Sequence, residues 1–464
     1  GLGDPDAGPQ PIEALFVDGA LVVAGALVWW ALVWWELVHR CLGRSPPRTV
    51  YISRVSARLA VDRSSSDEAI RAAVADWVDE HVPGPWRDAA GGGRDAIRAV
   101  RPRADYEAWY PTFADSGLAV ASWPVAYGGL DLTPAQAKVA ESVLAPYNLG
   151  RLNPLGLNNT ASALFAHGTE EQRLRFLPPM VRNDETWCQM FSEPGAGSDL
   201  ASLAMRAERD GDEWILSGQK VWSTWAHVSD FAICLARTDP SRPKRQGITY
   251  FLVDLRVPGV EVRELRHMGG EVDFDEVWLD EVRVPDLHRV GAVGDGWRVA
   301  GATLSSERQM VAGSGSGGVD RLGGRGVDTL LDAVRGTDPS PVTVQRLMAL
   351  HAEERIRDWT NQRVRAAVKA GGTPGPAASI GKVHQAGLNQ AIQLAAADLL
   401  GAGATAWQGE TPPHQVRGMI RSRANSIEGG TTEINKNVLG ERVLGLPREP
   451  DPWHGAPWQE TPRS

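Results

Sequence analysis

Apolar residues recur at helical spacing through Ile70, Val74, Trp77, Val78 and His81, inside the stretch "SSSDEAIRAAVADWVDEHV". That period predicts an amphipathic helix. Ser66 stands where an N-cap belongs, and Asp67 and Glu68 follow in the first turn, where the helix dipole favours acids. Thr133-Pro134 pairs a cap with a proline at the first helical position. "GTEEQ" (Gly168 to Gln172) reads as a capping box from Thr169 to Gln172. From Trp187 the period shortens to that of strands: "EWIL", "KVWST", "DFAICLAR", "ITYFLVDL", "VEVREL" and "DEVWLDEVRVP", separated by turn residues such as Ser217-Gly218 and Pro258-Gly259. Short strands at close spacing predict an antiparallel sandwich or barrel. Helical spacing returns at Gly296 and runs to about Leu444, with "GGTPGP" (Gly371 to Pro376) separating two long helices.

The expected fold class is therefore α+β, in the order helical, β, helical. The boundaries fall at 57–184 for the N-terminal helical domain, 185–290 for the middle antiparallel β domain and 291–449 for the C-terminal helical domain. A tail, 450–464, follows. Ahead of them, residues 1–56 form an atypical apolar extension. Its run "GALVVAGALVWWALVWW" (Gly19 to Trp35) is 17 residues without charge, short of the roughly 20 a spanning helix requires. It lacks the basic leader and small-residue cleavage site of a signal peptide. Attachment to a membrane or partner and a disposable extension both stay open for it.

Charge and cysteine usage narrow the partners. The net charge of −9 argues against nucleic acid, which asks for a basic face. Local arginines can still take an anion. Cys41, Cys188 and Cys234 are far apart, without metal-ligand or C-x-x-C spacing. They read as reduced thiols in a cytoplasmic setting, and no metal site is expected.

"GSGSGG" (Gly313 to Gly318) fits a dinucleotide fingerprint in letters, but it follows the helical stretch "LSSERQMVA" where the fingerprint needs a strand. Close helix packing on small residues is the better reading. "FSEPGAGSDL" (Phe191 to Leu200) is different. Gly195 and Gly197 let backbone approach a ligand, and Ser192 and Ser198 offer hydroxyls. Such a loop can face an anion or a polar planar ring, or be an ordinary surface turn. Downstream, "KVWSTWA" presents Trp222, Thr224 and Trp225, an aromatic face with a hydroxyl that suits a flat heterocycle. The alternative for each tryptophan is core packing.

Two carboxylates are candidates for chemistry. On a helix, Trp297, Ala300, Leu304, Glu307 and Val311 share one stripe, so Glu307 is expected among apolar side chains. Burial raises a carboxyl pKa toward the range a general base uses. A Glu307–Arg308 surface pair or a structural buried pair is the alternative. "SIEGGTTEI" (Ser426 to Ile434) places Glu428 before two glycines. A backbone N–H there can polarise a carbonyl, or the segment is a helix entry loop with Thr432 as its cap.

Taken together, "WCQMFSEPGAGSDLA", "GQKVWSTWA", "DEVWLDEVRVP", "GDGWRVA…LSSER" and "SIEGGTTEINKNVLGERVLGLP" have the order and spacing of the acyl-CoA dehydrogenases, which this chain resembles. "ASWPVAYGGL" and "HGTEEQRLRFLPPM" also resemble that family, so the similarity covers about Asp67 to Glu449. The resemblance implies a four-helix-bundle-like C-terminal domain and FAD held between it and the β domain, with help from a second subunit. It implies that Phe191 and Ser192 line the flavin ring and that Ser198 lies near phosphates or pantetheine. It implies that Trp222 and Thr224 pack against the flavin and that Thr431 and Glu433 approach it from the C-terminal side. Ser198, Ser305, Arg308, Glu428 and Gly429 are the implied substrate contacts.

The implied chemistry is α,β-desaturation of an acyl-CoA thioester in lipid metabolism. A carboxylate removes the α-proton, the β-hydrogen leaves as hydride to the flavin, and electrons pass to an electron-transfer flavoprotein. Aligning the loop on Gly430-Thr431 puts Gly429, not Glu428, at one of the two places the family uses for its base. Glu307 occupies the other, as in isovaleryl-type and some steroid-side-chain-type members. Glu307 is thus the expected base, with Glu428 as the alternative. The chain departs from the family where many members carry Arg-x-x-Phe-Gly: here "VRGTDPSPVTVQR" keeps Arg335 and Gln345 as cofactor contacts but no Phe-Gly. A homodimer or homotetramer is expected, with a heteromer possible. An acyl-CoA oxidase or flavin monooxygenase of the same fold, and a non-catalytic subunit of a heteromeric dehydrogenase, are the competing functions.

Overall fold

The computed structural model describes residues 58–311, 326–370, 376 and 379–462, together with a two-residue antiparallel ladder between Phe16–Val17 and Ala20–Leu21. The side chains of 94–95, 306–311, 365 and 368–369 lie outside the described set. So do most of the run 19–35, Cys41 and the segment "GSGSGG". Among the described residues no helix is long and apolar enough to cross a membrane.

Helices build the first part. Helix α1 (Asp67–His81) starts on Ser66, whose side chain accepts the Ala69 N–H, and buries Ile70, Val74, Trp77 and Val78. Each such side chain stabilises the fold by roughly 1.5–3 kcal/mol on full burial. His81 stays half-buried and stacks on Trp77, ring centroids 5.3 Å apart. Helices α2 (Arg103–Asp115), α3 (Pro134–Leu144), α4 (Ala161–His167) and α5 (Glu170–Arg182) follow. Both α3 and α5 open on complete capping boxes, Thr133 with Gln136 and Thr169 with Gln172.

The middle part is one sheet of eight strands. They are β1 (Trp187–Met190), β2 (Arg206–Asp210), β3 (Glu213–Thr224), β4 (Phe231–Arg237), β5 (Ile248–Asp254), β6 (Val260–Leu265), β7 (Phe274–Pro285) and β8 (Arg289–Val290). The order is β8-β5-β4-β2-β3-β7-β6, with β1 beside β4. Most pairings are antiparallel, but β1 and the start of β2 run parallel to β4, so the sheet is mixed. Phe231, Ile233 and Leu235 of β4 face the helical core, while Ala232, Cys234 and Ala236 face a second core with Trp214 and Val277. Both faces are therefore covered, which explains the unbroken apolar run of β4. Trp214 of β3 lies 5.5 Å from Phe251 of β5, a strand that is not its neighbour, so the sheet curls over that second core. Burial pushes the Cys234 thiol up to about 11, which keeps it protonated and unreactive.

Ser217-Gly218 is not a turn. "EWIL" and "KVWST" belong to the single strand β3, and Gly218 (φ +149) sits at a bulge against β7. A turn dipeptide and a bulge share the same local preference for glycine. The long partner β7 decides between them here.

Helix α6 (Gly296–Val311) then lies against the sheet. A Cβ at Gly296 meets the Thr249 backbone at 2.6 Å, so only glycine allows this approach. The buried stripe of α6 is Gly296, Val299, Ala300 and Thr303, with Trp297 and Leu304 at its half-buried margins. It is thus rotated slightly from the stripe read by spacing. Helices α7 (Val327–Val334), α8 (Pro341–Lys369), α9 (Ser379–Leu399), α10 (His414–Arg421) and α11 (Thr432–Arg442) complete the C-terminal part, around a core of Val327, Leu347, Leu350, Leu388 and Ile392.

Candidate active site

The glycine-rich loop leaves the end of β1 and is held from below. Glu193 and Ala196 exchange backbone hydrogen bonds of 3.1 and 3.0 Å. The Glu193 carboxylate accepts the N–H groups of Ala204 (2.6 Å) and Met205 (2.9 Å). Lys220 of β3, fully buried, donates to Glu193 Oε1 at 2.8 Å and to Phe191 O at 3.1 Å. The Val221 N–H donates to Ser192 O at 3.0 Å. These bonds set the loop beside the end of β3, so Ser192 lies against the end of the strand that carries Trp222 and Thr224. Sequence reasoning missed Glu193 and Lys220. The signal was a lysine and a glutamate inside otherwise buried segments, which needs a partner to be tolerable.

Phe191 does not present its ring to this strand end. It is 3% exposed and packs edge-on against Tyr250 at 5.9 Å, so its ring belongs to the core. Ser198 is exposed and Ser192 half-buried. Next to Ser198, burial pushes the Asp199 carboxyl up, but hydrogen bonds from Lys244 and Ser202 outweigh it and hold the group below its ordinary value.

Trp222 stands at a second bulge of β3, with φ +61, and its indole is 53% exposed. Left-handed backbone at a non-glycine residue costs of order 1–3 kcal/mol and gathers at functional sites. Trp225 repeats the conformation (φ +55) and is also exposed. The bulge turns Trp222 outward from a strand whose neighbours Val221 and Ser223 are buried, and its ring meets Phe274 edge-on at 5.6 Å. Thr224, half-buried, pairs with Phe274 across the ladder.

The C-terminal half reaches the β domain through α10. Arg417 donates to Glu271 Oε1 at 3.1 Å, in the loop between β6 and β7. One turn later Arg421 donates to Glu428 Oε2 at 2.8 Å. Asn425 Nδ2 donates to Glu428 Oε1 at 2.8 Å. Both oxygens of Glu428 are therefore engaged in holding the chain just before Gly429 (φ +64) and Gly430 (φ +88). The cap of α11 is Thr431, whose side chain accepts the Ile434 N–H at 3.1 Å, and not Thr432. Asn435, buried, donates to Gly430 O and Thr431 O, both at 3.0 Å. Glu433 is exposed in the first turn of α11.

Glu307 lies in α6, one turn beyond buried Thr303. Its side chain and that of Arg308 fall outside the described residues. Ser305 is half-buried. Thr303 anchors this part of α6 by bonding with Tyr250 Oη at 3.1 Å and donating to Asn159 O at 3.3 Å. Arg335 and Gln345 are exposed on the C-terminal part, Arg335 bonded to Asp332 at 2.9 Å.

The structure also gathers three groups that their spacing did not suggest: His267, Glu271 and Asp273 place ligand-type atoms within 4.8 Å of one another. His267 Nδ1 accepts the Gly269 N–H at 3.0 Å. That assigns the ring proton to Nε2, which faces Glu271 at 3.7 Å and Asp273 at 3.5 Å. The ring is thus neutral, and the charge of Glu271 is met by Arg417 at 3.1 Å.

Comparison with known proteins agrees with this architecture. The chain matches the N-terminal domain model of acyl-CoA dehydrogenase over residues 64–184, the middle domain over 188–282 and the C-terminal domain over 294–444. It is 36% identical to acyl-CoA dehydrogenase IpdE1 of Mycobacterium tuberculosis, over 82% of this chain and 98% of that protein. It is 38% identical to acyl-CoA dehydrogenase FadE34 of the same organism, over 72% of this chain but only 45% of the longer FadE34. Among solved structures, a single-residue variant of the Tcur3481-Tcur3483 steroid ACAD superposes with a TM-score of 0.63 and 25% identity, covering 82% of this chain and 99% of that one. The chain belongs to the acyl-CoA dehydrogenase family of flavoprotein oxidoreductases.

Proposed function

We propose that the protein binds FAD and removes the α- and β-hydrogens of an acyl-CoA thioester, giving the 2-enoyl-CoA. The observation that carries this is Trp222: a strained, outward-turned indole beside Thr224 and the Ser192 loop, on a frame fixed by a buried ion pair. The residues fit a flat, phosphate-bearing cofactor. The indole face is open, and a Cβ added at Gly195 or Gly197 meets no atom within 4 Å, so the space beside that loop is uncrowded.

On this reading Ser192, Trp222 and Thr224 hold the ring system and Ser198 faces a phosphate. Thr431 closes the site from the C-terminal side, and the exposed Arg335 and Gln345 serve the adenine end of a second subunit's cofactor. FAD, when bound, supplies the acceptor for the hydride that leaves Cβ. Glu307 takes the α-proton. A backbone N–H of the Gly429–Gly430 turn polarises the thioester carbonyl, and Glu428 holds that turn. Positioning and carbonyl polarisation lower the barrier because neither C–H bond is acidic or hydridic until both act together. Electrons then pass to an electron-transfer flavoprotein. The name of the solved relative supports a steroid-derived acyl group.

Reconstitution tests the cofactor assignment. Added FAD is expected to bind stoichiometrically and quench tryptophan emission, and Trp222→Ala to lose most of that quenching. A chain that stays colourless with excess FAD contradicts the proposal.

A further inference from the structure

The C-terminal tail lies beyond the family match, which ends at residue 444, yet it returns to the glycine-rich loop. The Trp458 N–H donates to Arg242 O at 2.8 Å and the Gln459 N–H to Pro240 O at 3.0 Å. Thr461 Oγ1 closes the turn on Trp458 O at 2.8 Å. The Trp458 indole, 7% exposed, lies over the Arg237 guanidinium at 4.4 Å, and its Nε1–H donates to Ser202 O at 3.2 Å. Arg237, 3% exposed, donates in turn to Leu203 O (3.0 Å), Ala201 O (2.7 Å) and Lys244 O (3.0 Å). Lys244 completes the frame by donating to Asp199 Oδ2 at 2.7 Å. These ties converge on residues 199–203, which begin immediately after Ser198.

A cation over an indole face gains most where water is excluded. Here the ring covers a guanidinium whose donors are spread over two separate stretches of backbone. Lifting the ring lets water compete for those carbonyls and frees the turn. Trp458 is buried but belongs to none of the three apolar cores described above.

We propose that residues 457–461 are a strap for the cofactor loop, and that Trp458 is a positioning residue acting through Arg237 and Ser202 to hold Ser198 toward the phosphates of the bound cofactor. This rests on the reading of the site as an FAD site. The test uses the full chain, measuring the FAD dissociation constant, the shape of the bound-flavin absorption band and the unfolding midpoint of the FAD-free protein. Trp458→Ala is expected to weaken FAD at least tenfold and alter the band, with the FAD-free midpoint moved by no more than about 2 °C. Trp458→Phe keeps a ring over Arg237 and is expected to stay within threefold of the parent. In a chain ending at Pro450, a synthetic peptide of residues 451–464 added in trans is expected to restore affinity. Should Trp458→Ala fail to fold, Trp458→Phe against Trp458→Leu decides between a ring and an aliphatic filler. Unchanged FAD affinity in Trp458→Ala, equal behaviour of Phe and Leu, or a midpoint that falls in step with affinity overturns the strap. Failure of the parent chain to bind FAD overturns the cofactor reading on which it rests.

Discussion

Lys220 Nζ lies 2.8 Å from Glu193 Oε1, with side-chain exposures of 0% and 9%. A pair this deep holds its geometry because each charge is satisfied several times over: Glu193 by two backbone N–H groups and the ammonium, Lys220 by the carboxylate and Phe191 O. It fixes the loop to the strand that carries Trp222. Removing one partner strands the other charge, which costs about 3–5 kcal/mol. Lys220→Met and Glu193→Gln are each expected to lower the unfolding free energy by about that amount and to release flavin. The double variant is expected to lose less than the sum of the two. Denaturant unfolding of the three variants checks this; additive losses contradict the coupling.

Trp222 separates strain from binding. Its left-handed backbone disfavours any side chain by about 1–2 kcal/mol relative to glycine, and its half-exposed ring adds little to stability. Trp222→Gly is therefore expected to leave the FAD-free protein at least as stable as Trp222→Ala, while both weaken FAD tenfold or more. Thermal unfolding without FAD, beside FAD titration, reads both quantities. An FAD-free protein that collapses in either variant assigns the indole to the core instead.

Glu428 and Glu307 are expected to divide the acidic roles. Both Glu428 oxygens accept from Arg421 and Asn425. Glu428→Gln keeps one acceptor oxygen and is expected to raise KM with turnover falling less than tenfold. Arg421→Ala, which frees the same carboxylate, is expected to act in the same direction. Glu307→Gln is expected to lower turnover by three orders of magnitude or more. Steady-state kinetics with an acyl-CoA distinguish them, and a larger loss for Glu428→Gln reverses the assignment.

His288 gives the protein a pH dependence away from the site. Its ring packs edge-on against Phe176 at 5.2 Å and near Phe231 at 6.4 Å. Burial first, and then the Arg175 charge, hold its pKa below the ordinary 6.5. The unfolded chain therefore takes up a proton before the folded one does. Stability is full above about pH 6.5 and falls as pH drops below it, levelling off once the folded ring is also protonated. His288→Leu is expected to flatten the loss of unfolding midpoint as pH falls below about 6.5, relative to the parent. Parallel curves contradict it.

The order of helical, β and helical parts is legible in the chain because periodicity and capping are local: Ser66, Thr133 and Thr169 begin helices in the structure as their chemistry predicts. Ser217-Gly218 reads as a turn because a bulge and a turn look alike until the partner strand is known. The loop "FSEPGAGSDL" and the tryptophan after Lys220 stand out by residue type. What holds them together does not. Lys220 finds Glu193 27 positions back, Arg417 finds Glu271 146 positions back, and Trp458 bonds Ser202 at a separation of 256. Those pairings are set by how strands and helices stack, which no spacing rule in the chain encodes. Phe191 shows the converse. Its place in the motif is plain, but an aromatic ring at the end of a buried strand goes to the core.

Anaerobic mixing of the FAD-loaded protein with a saturated acyl-CoA, followed at the flavin absorption maximum, tests the proposed dehydrogenation most directly. The panel should include a steroid-side-chain thioester. At least one acyl-CoA is expected to bleach the parent flavin and yield the 2-enoyl-CoA, while Glu307→Gln binds FAD normally but does not bleach with that compound. Full-rate bleaching in Glu307→Gln, or a bound flavin that no acyl-CoA reduces, contradicts it.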